Sequence, residues 1–189
     1  AYPPLDFLEF DDFINRCYNS IEKIAAHSQN IAVIVGCPSR NAVPEGKSLF
    51  NSAWFIHQGK VQSVIHKALL PTYDVFDEYR YFESGRIFQC IELNGEKIAL
   101  TICEDLWNVE DDPLYIHSPM EELIKEKPSF IINIAASPFD YKHAHQRKAI
   151  LQRNVNQYKI PLLYVNHVGA QTEIIFDGGS LAYDAKGRL

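Results

Sequence analysis

Apolar positions along this chain recur with two different periods. Phe13, Ile14, Cys17, Ile21, Ile24 and Ala25 return at helical spacing, so 11–26 reads as a helix with Asp11 as its cap. Three runs, 31–36, 130–135 and 161–165, are apolar apart from Asn133 and of strand length. Lacking alternation, they predict strands covered on both faces. The polar stretch 38–46 reads as a loop. Runs 51–57 and 61–66 flank Gln58-Gly59-Lys60, and runs 87–93 and 97–103 flank Asn94-Gly95, so each pair predicts a hairpin.

Further on, 119–125 reads as a short helix. Residues 144–158 form a longer one, with Ile150, Val155 and Tyr158 inward and Arg147, Lys148 and Arg153 outside. Gly178 to Tyr183, with Ala185-Lys-Gly, begins a last hairpin. One stretch, 69–85, keeps no period: it holds Pro71, five aromatics and five charges, and a long irregular loop is uncommon unless it has a task. Hairpins interleaved with strand and helix pairs predict an α/β protein with a mixed sheet.

Composition narrows the function classes. The 189 residues suit one domain, and 47% hydrophobic content supports a sizeable core. A net charge of −6 with no basic run leaves no footprint for nucleic acid. No apolar run nears the ~18 residues of a membrane span, and the first residues lack the pattern of a leader peptide. A cytoplasmic protein is expected. The four cysteines, at 17, 37, 90 and 103, show no C-x-x-C spacing, so reduced thiols are expected. The chain opens on Ala1-Tyr-Pro-Pro without Met and closes on Gly187-Arg-Leu just after a strand and turn, which predicts a fragment.

Three strand ends carry residues capable of chemistry. The apolar run 98–102 delivers Cys103, followed by Glu104 and Asp105. His66-Lys67 closes a hairpin strand, and Ile134-Ala-Ala-Ser137 puts small residues where ligands of open α/β sheets bind. Taken singly, an apolar cysteine is commonly a packing residue and a loop lysine a solvated charge, so both readings stay open. His143 and His145 have no companion cluster of acids or cysteines, and no metal is expected.

Together the motifs Lys67-Ala-Leu-Leu-Pro-Thr-Tyr-Asp-Val-Phe-Asp-Glu-Tyr-Arg-Tyr-Phe, Thr101-Ile-Cys-Glu-Asp-Leu-Trp, Asn133-Ile-Ala-Ala-Ser-Pro-Phe and Phe176-Asp-Gly-Gly-Ser carry a resemblance. The chain resembles the carbon–nitrogen hydrolase (nitrilase) superfamily, and within it the N-terminal glutaminase domain of glutamine-dependent NAD synthetases. That resemblance implies a nitrilase-like four-layer α-β-β-α sandwich, incomplete at both ends, with 1–189 a fragment of one glutamine amidohydrolase domain. It makes Cys103 the nucleophile and Lys67 the support of the tetrahedral intermediate, with Glu78 a further carboxylate near the lysine. Tyr73 and Phe76 would shape the pocket, and Glu104 and Ser137 would hold the amino-acid head. Lys142 and His143 stand where the family can place an arginine, which leaves the contact to the substrate carboxylate open. The family's general-base glutamate belongs to a motif ahead of Tyr2-Pro-Pro, outside these residues.

The expected activity is hydrolysis of the L-glutamine amide through a thioester, supplying ammonia for ATP-dependent amination of deamido-NAD to NAD. The glutaminase part needs no cofactor. ATP and Mg are implied for a synthetase domain, of which no Gly-rich phosphate loop is seen here. The implied partners are L-glutamine, that synthetase domain and further copies of the chain, with no nucleic acid and no membrane. By itself the fragment is expected to be inactive. The alternatives are a stand-alone amidase of the same superfamily and a catalytically inactive assembly scaffold.

Overall fold

The computed structural model describes residues 2–109, 114–141, 143–171 and 173–189, without the side chain of His143. They fall into two compact units, Ala1–Ile87 and Phe88–Leu189.

In the first unit a 3-10 turn, Leu5–Glu9, leads into helix α1 (Asp11–His27). Ile14, Ile21 and Ala25 form the buried stripe of α1. Ile21 and Ala25 pack on Trp54 and Ile56, while Ile14 joins Leu8, Leu49, Leu70 and Phe82. The helix starts at the expected residue, but its cap lies one residue earlier than Asp11: Phe10, with extended backbone and no side-chain bond, occupies the cap, and Asp11 and Asp12 lie in the first turn. There their charges favour the positive end of the helix dipole.

Strands β1 (Val33–Arg40), β2 (Leu49–His57) and β3 (Lys60–His66) make an antiparallel sheet in chain order. Gln58 and Gly59 turn β2 into β3 with φ of 52° and 74°, the left-handed pair a two-residue hairpin needs. β1 corrects two expectations. It runs through Pro38 to Arg40, where a loop was predicted, and it is half-buried rather than covered on both faces. As an edge strand it tolerates a residue with no N–H to donate. The irregular stretch after β3 also contains one helical turn, α2 (Glu78–Tyr81).

The second unit carries a five-stranded sheet of β4 (Ile91–Leu93), β5 (Glu96–Ile102), β6 (Phe130–Ala135), β7 (Leu162–Asn166) and β10 (Leu181–Tyr183), in the order β10-β7-β6-β5-β4. The β5–β6–β7 ladder is parallel, and the outer pairs are antiparallel, giving the mixed sheet. Asn94 and Gly95 make the β4–β5 turn with φ of 53° and 82°. Helices α3 (Pro119–Leu123) and α4 (His143–Tyr158) supply Met120, Leu123, Leu151 and Val155 to a core with Ala99, Ile131 and Leu162. β7 alternates: Leu162, Tyr164 and Asn166 are buried, whereas Leu163 and Val165 are 41% and 52% exposed, against the two-sided burial expected. A further hairpin, β8 (Val168–Gln171) with β9 (Ile174–Asp177), was not foreseen, because no Gly or Asn-Gly marks its turn.

Candidate functional site

In the second unit two neighbouring parallel strands deliver the expected residues at their carboxyl ends. β5 stops at Ile102, and Cys103 opens a 3-10 turn, Cys103–Leu106, with φ of 44°. A non-glycine residue there is strained by ~1–3 kcal/mol and persists only where its surroundings hold it. Three buried side chains do so. Asp105 Oδ2 accepts the Ile102 N–H at 3.0 Å. Asn133 Nδ2 donates to the Cys103 carbonyl at 3.3 Å and to Thr101 Oγ1 at 2.9 Å. Asn154 Nδ2 donates to the Leu106 carbonyl at 2.9 Å. Glu104 is buried and accepts the Tyr115 hydroxyl at 3.2 Å.

None of the four cysteines is in a disulfide, and Cys103 is half-buried. Burial, then the Glu126 charge, pushes the Cys90 thiol up to about 11. Burial, then Cys17, pushes Cys37 up to about 12. Since the thiolate is the nucleophile, those two are inert at neutral pH. Burial, then the Cys103 thiol, also raises the Tyr164 hydroxyl well above its ordinary value.

Ser137 lies two residues beyond β6 and is buried. Asn166 fixes it twice: Oδ1 accepts the Ser137 N–H at 2.8 Å, and Nδ2 donates to the Ser137 carbonyl at 3.3 Å. Arg147, expected outside, is 3% exposed. It shares one face of α4 with Ile150, Leu151, Asn154 and Val155, all buried. Its guanidinium donates to Ser137 Oγ at 3.3 Å, to the Gly178 carbonyl at 3.1 Å and to Asp177 Oδ1 at 3.3 Å. The i, i+3, i+4 spacing of that face contained the signal, but the charge of Arg147 overrode it.

In the first unit Lys67 follows β3 directly and is 1% exposed, so it is no solvated loop charge. Its ammonium contacts Glu78 Oε2 at 2.7 Å. Taking an ion out of water costs several kcal/mol unless it is paired, and here both partners are buried together. Glu78 also accepts from the Tyr2 hydroxyl and, at 3.4 Å, from Asn51 Nδ2. Backbone bonds hold the pair in place: Lys67 N–H to Asn51 O at 2.8 Å, Glu78 N–H to Pro71 O at 3.2 Å, and Gly85 N–H to Lys67 O at 2.8 Å. Tyr73, 41% exposed, meets Phe76 edge to face with centroids 5.8 Å apart. Lys142 and the His143 side chain, which stand where the family can place an arginine, lie outside the described residues. Among the described residues no three His, Cys, Asp or Glu side chains are grouped to hold a metal.

Fold and side chains define a class: an α/β protein with thiol, ammonium and carboxylate groups set at strand ends. The chain belongs to the carbon–nitrogen hydrolase family, whose model matches residues 23–189. Among its relatives, the glutamine-dependent NAD(+) synthetase of Synechocystis sp. is 37% identical over 196 residues, covering 100% of this chain and 35% of that protein. The structure of glutamine-dependent NAD+ synthetase from Acinetobacter baumannii superposes with a TM-score of 0.86 at 28% identity, over 100% of this chain and 34% of that one. A carbon–nitrogen hydrolase from Helicobacter pylori G27 matches with a TM-score of 0.77 at 22% identity, over 97% of this chain and 64% of that one, a likeness of fold. The chain thus spans about a third of the length of the curated relatives it matches. The α/β fold and family expected from the motifs are those found. Among the described residues no helix is long and apolar enough to cross a membrane.

Proposed function

We propose that this chain hydrolyses the side-chain amide of L-glutamine and that, in a longer protein, the ammonia released serves ATP- and Mg-dependent amination of deamido-NAD to NAD. The observation that carries this reading is the match of the whole chain to glutamine-dependent NAD(+) synthetases. In the mechanism, the Cys103 thiolate attacks the amide carbon and a C–S bond forms. The Lys67 ammonium and the Glu104 backbone N–H stabilise the oxyanion, the kind of term that is often the largest in acyl transfer. The family's general-base glutamate, which the resemblance puts ahead of Tyr2, takes the thiol proton and passes it to the departing ammonia. It then activates the water that cleaves the thioester to glutamate. The role of Lys67 is supported by the family pattern and by its burial against Glu78, which keeps the ammonium oriented. Glu104, a buried carboxylate, suits the substrate α-ammonium, Ser137 its carboxylate, and Tyr73 and Phe76 the pocket wall.

The test uses the complete gene product. Glutamine should yield ammonia, and NAD should form from deamido-NAD only when ATP is present. Cys103→Ala should abolish the glutamine-driven reaction while free ammonium still supports NAD formation. Hydrolysis of other amides without any release of ammonia from glutamine would overturn the reading in favour of a stand-alone amidase.

A further inference from the structure

We infer that Arg147 is a positioning residue that turns the Ser137 hydroxyl toward the carboxylate of an α-amino-acid substrate. The inference rests on the glutamine reading and deepens it. A guanidinium only donates hydrogen bonds. At 3.3 Å from Arg147, Ser137 Oγ is therefore the acceptor, and its own proton remains for another partner. The Tyr164 hydroxyl makes no hydrogen bond among the described residues, which leaves the Ser137 proton for a substrate. The Ser137 backbone is already fixed on both sides by Asn166, which leaves the hydroxyl as the adjustable group.

Arg147 is itself over-determined. Asp177 compensates its charge, the Gly178 carbonyl accepts from its other nitrogen, and the guanidinium carbon lies 5.7 Å from the centroid of the Tyr164 ring. Its Nε is buried without a hydrogen-bond partner among the described residues. That unsatisfied donor carries a desolvation cost, set against the three hydrogen bonds and the Asp177 charge that hold the guanidinium. A planar fork can reach Ser137, Gly178 and Asp177 at once, whereas a lysine ammonium cannot reproduce that fixed geometry.

The test compares two electrophiles that alkylate Cys103 in the complete gene product, with labelling followed by mass spectrometry. One is a diazoketone analogue of glutamine carrying the amino-acid head, and the other is chloroacetamide, which lacks it. Arg147→Lys should slow labelling by the diazoketone at least about tenfold, the loss expected when a hydrogen bond to a charged donor goes, and leave chloroacetamide labelling unchanged. Ser137→Ala, a small change that keeps the backbone bonds, should give the same head-dependent loss, and adding Arg147→Lys to it should cost nothing more. Equal slowing with both electrophiles, or no slowing with the diazoketone in either variant, overturns the inference. If the unaltered protein is labelled by chloroacetamide but not by the diazoketone, the glutamine reading falls, and the inference with it.

Discussion

Glu78→Gln is the most telling single substitution in the first unit. It preserves shape but keeps only one acceptor oxygen for Tyr2 and Asn51, which donate to different oxygens of Glu78, and it leaves the Lys67 ammonium without the carboxylate 2.7 Å away. With side chains only 1% and 5% exposed, water screens this pair little. At an effective dielectric near 20 the Coulomb attraction at that distance is about 6 kcal/mol, partly offset by desolvation. Removing one partner of such a buried pair costs about 3–5 kcal/mol. For a chain of this size each kcal/mol lowers the melting temperature by ~2–4 °C, so a fall of ~6–20 °C is expected. Scanning calorimetry and urea titration would measure it. The double variant Lys67→Met with Glu78→Gln, which removes both charges, should recover most of the loss. A cost below ~1 kcal/mol, the range of exposed pairs, would refute the assignment of a buried, mutually dependent pair.

Other outcomes follow from single contacts. A Cβ on Gly85 would sit 2.5 Å from the His66 carbonyl oxygen, so Gly85→Ala should cost ~1–3 kcal/mol by overpacking, read as a lower urea midpoint. At φ 44° alanine is strained where glycine is not, so Cys103→Gly should unfold at higher urea than Cys103→Ala, by about 1 kcal/mol, while both lose glutamine hydrolysis. Burial lowers the His66 proton affinity from its ordinary value of 6.5. The unfolded chain then binds the proton more readily, so the contribution of His66 is complete above pH 6.5 and is lost as pH falls below it. His66→Gln should flatten that part of the stability–pH curve, and an unchanged slope would show that His66 does not contribute it.

Period and turn chemistry made most of the architecture legible. The Asn94-Gly95 and Gln58-Gly59 turns, the α1 stripe and the bounds of β6 follow from local preferences that the tertiary structure does not oppose. Cys103, Lys67 and Ser137 were legible as strand-end residues because an apolar run that stops must present its next residue at the sheet edge. What escaped depends on neighbours distant in the chain. Pro38 fits β1 only because β1 lies at an edge, and β7 is half exposed although both its faces are apolar in sequence. Arg147 is buried because Asp177 and Gly178, some thirty positions on, supply its partners. No local rule anticipates a cation made acceptable by a loop that far away.

The spacing of Arg147 and Asn154 along α4 gives the helix a second office. One turn of it grips Ser137, two residues beyond β6, and two turns on it grips the carbonyl that ends the Cys103 turn. The helix therefore works as a ruler, carrying two separately encoded loops on one rigid scale. Sequence drift in either loop is referred back to the same gauge. An error in seating the helix, through Leu151 or Val155, would register in both loops at once.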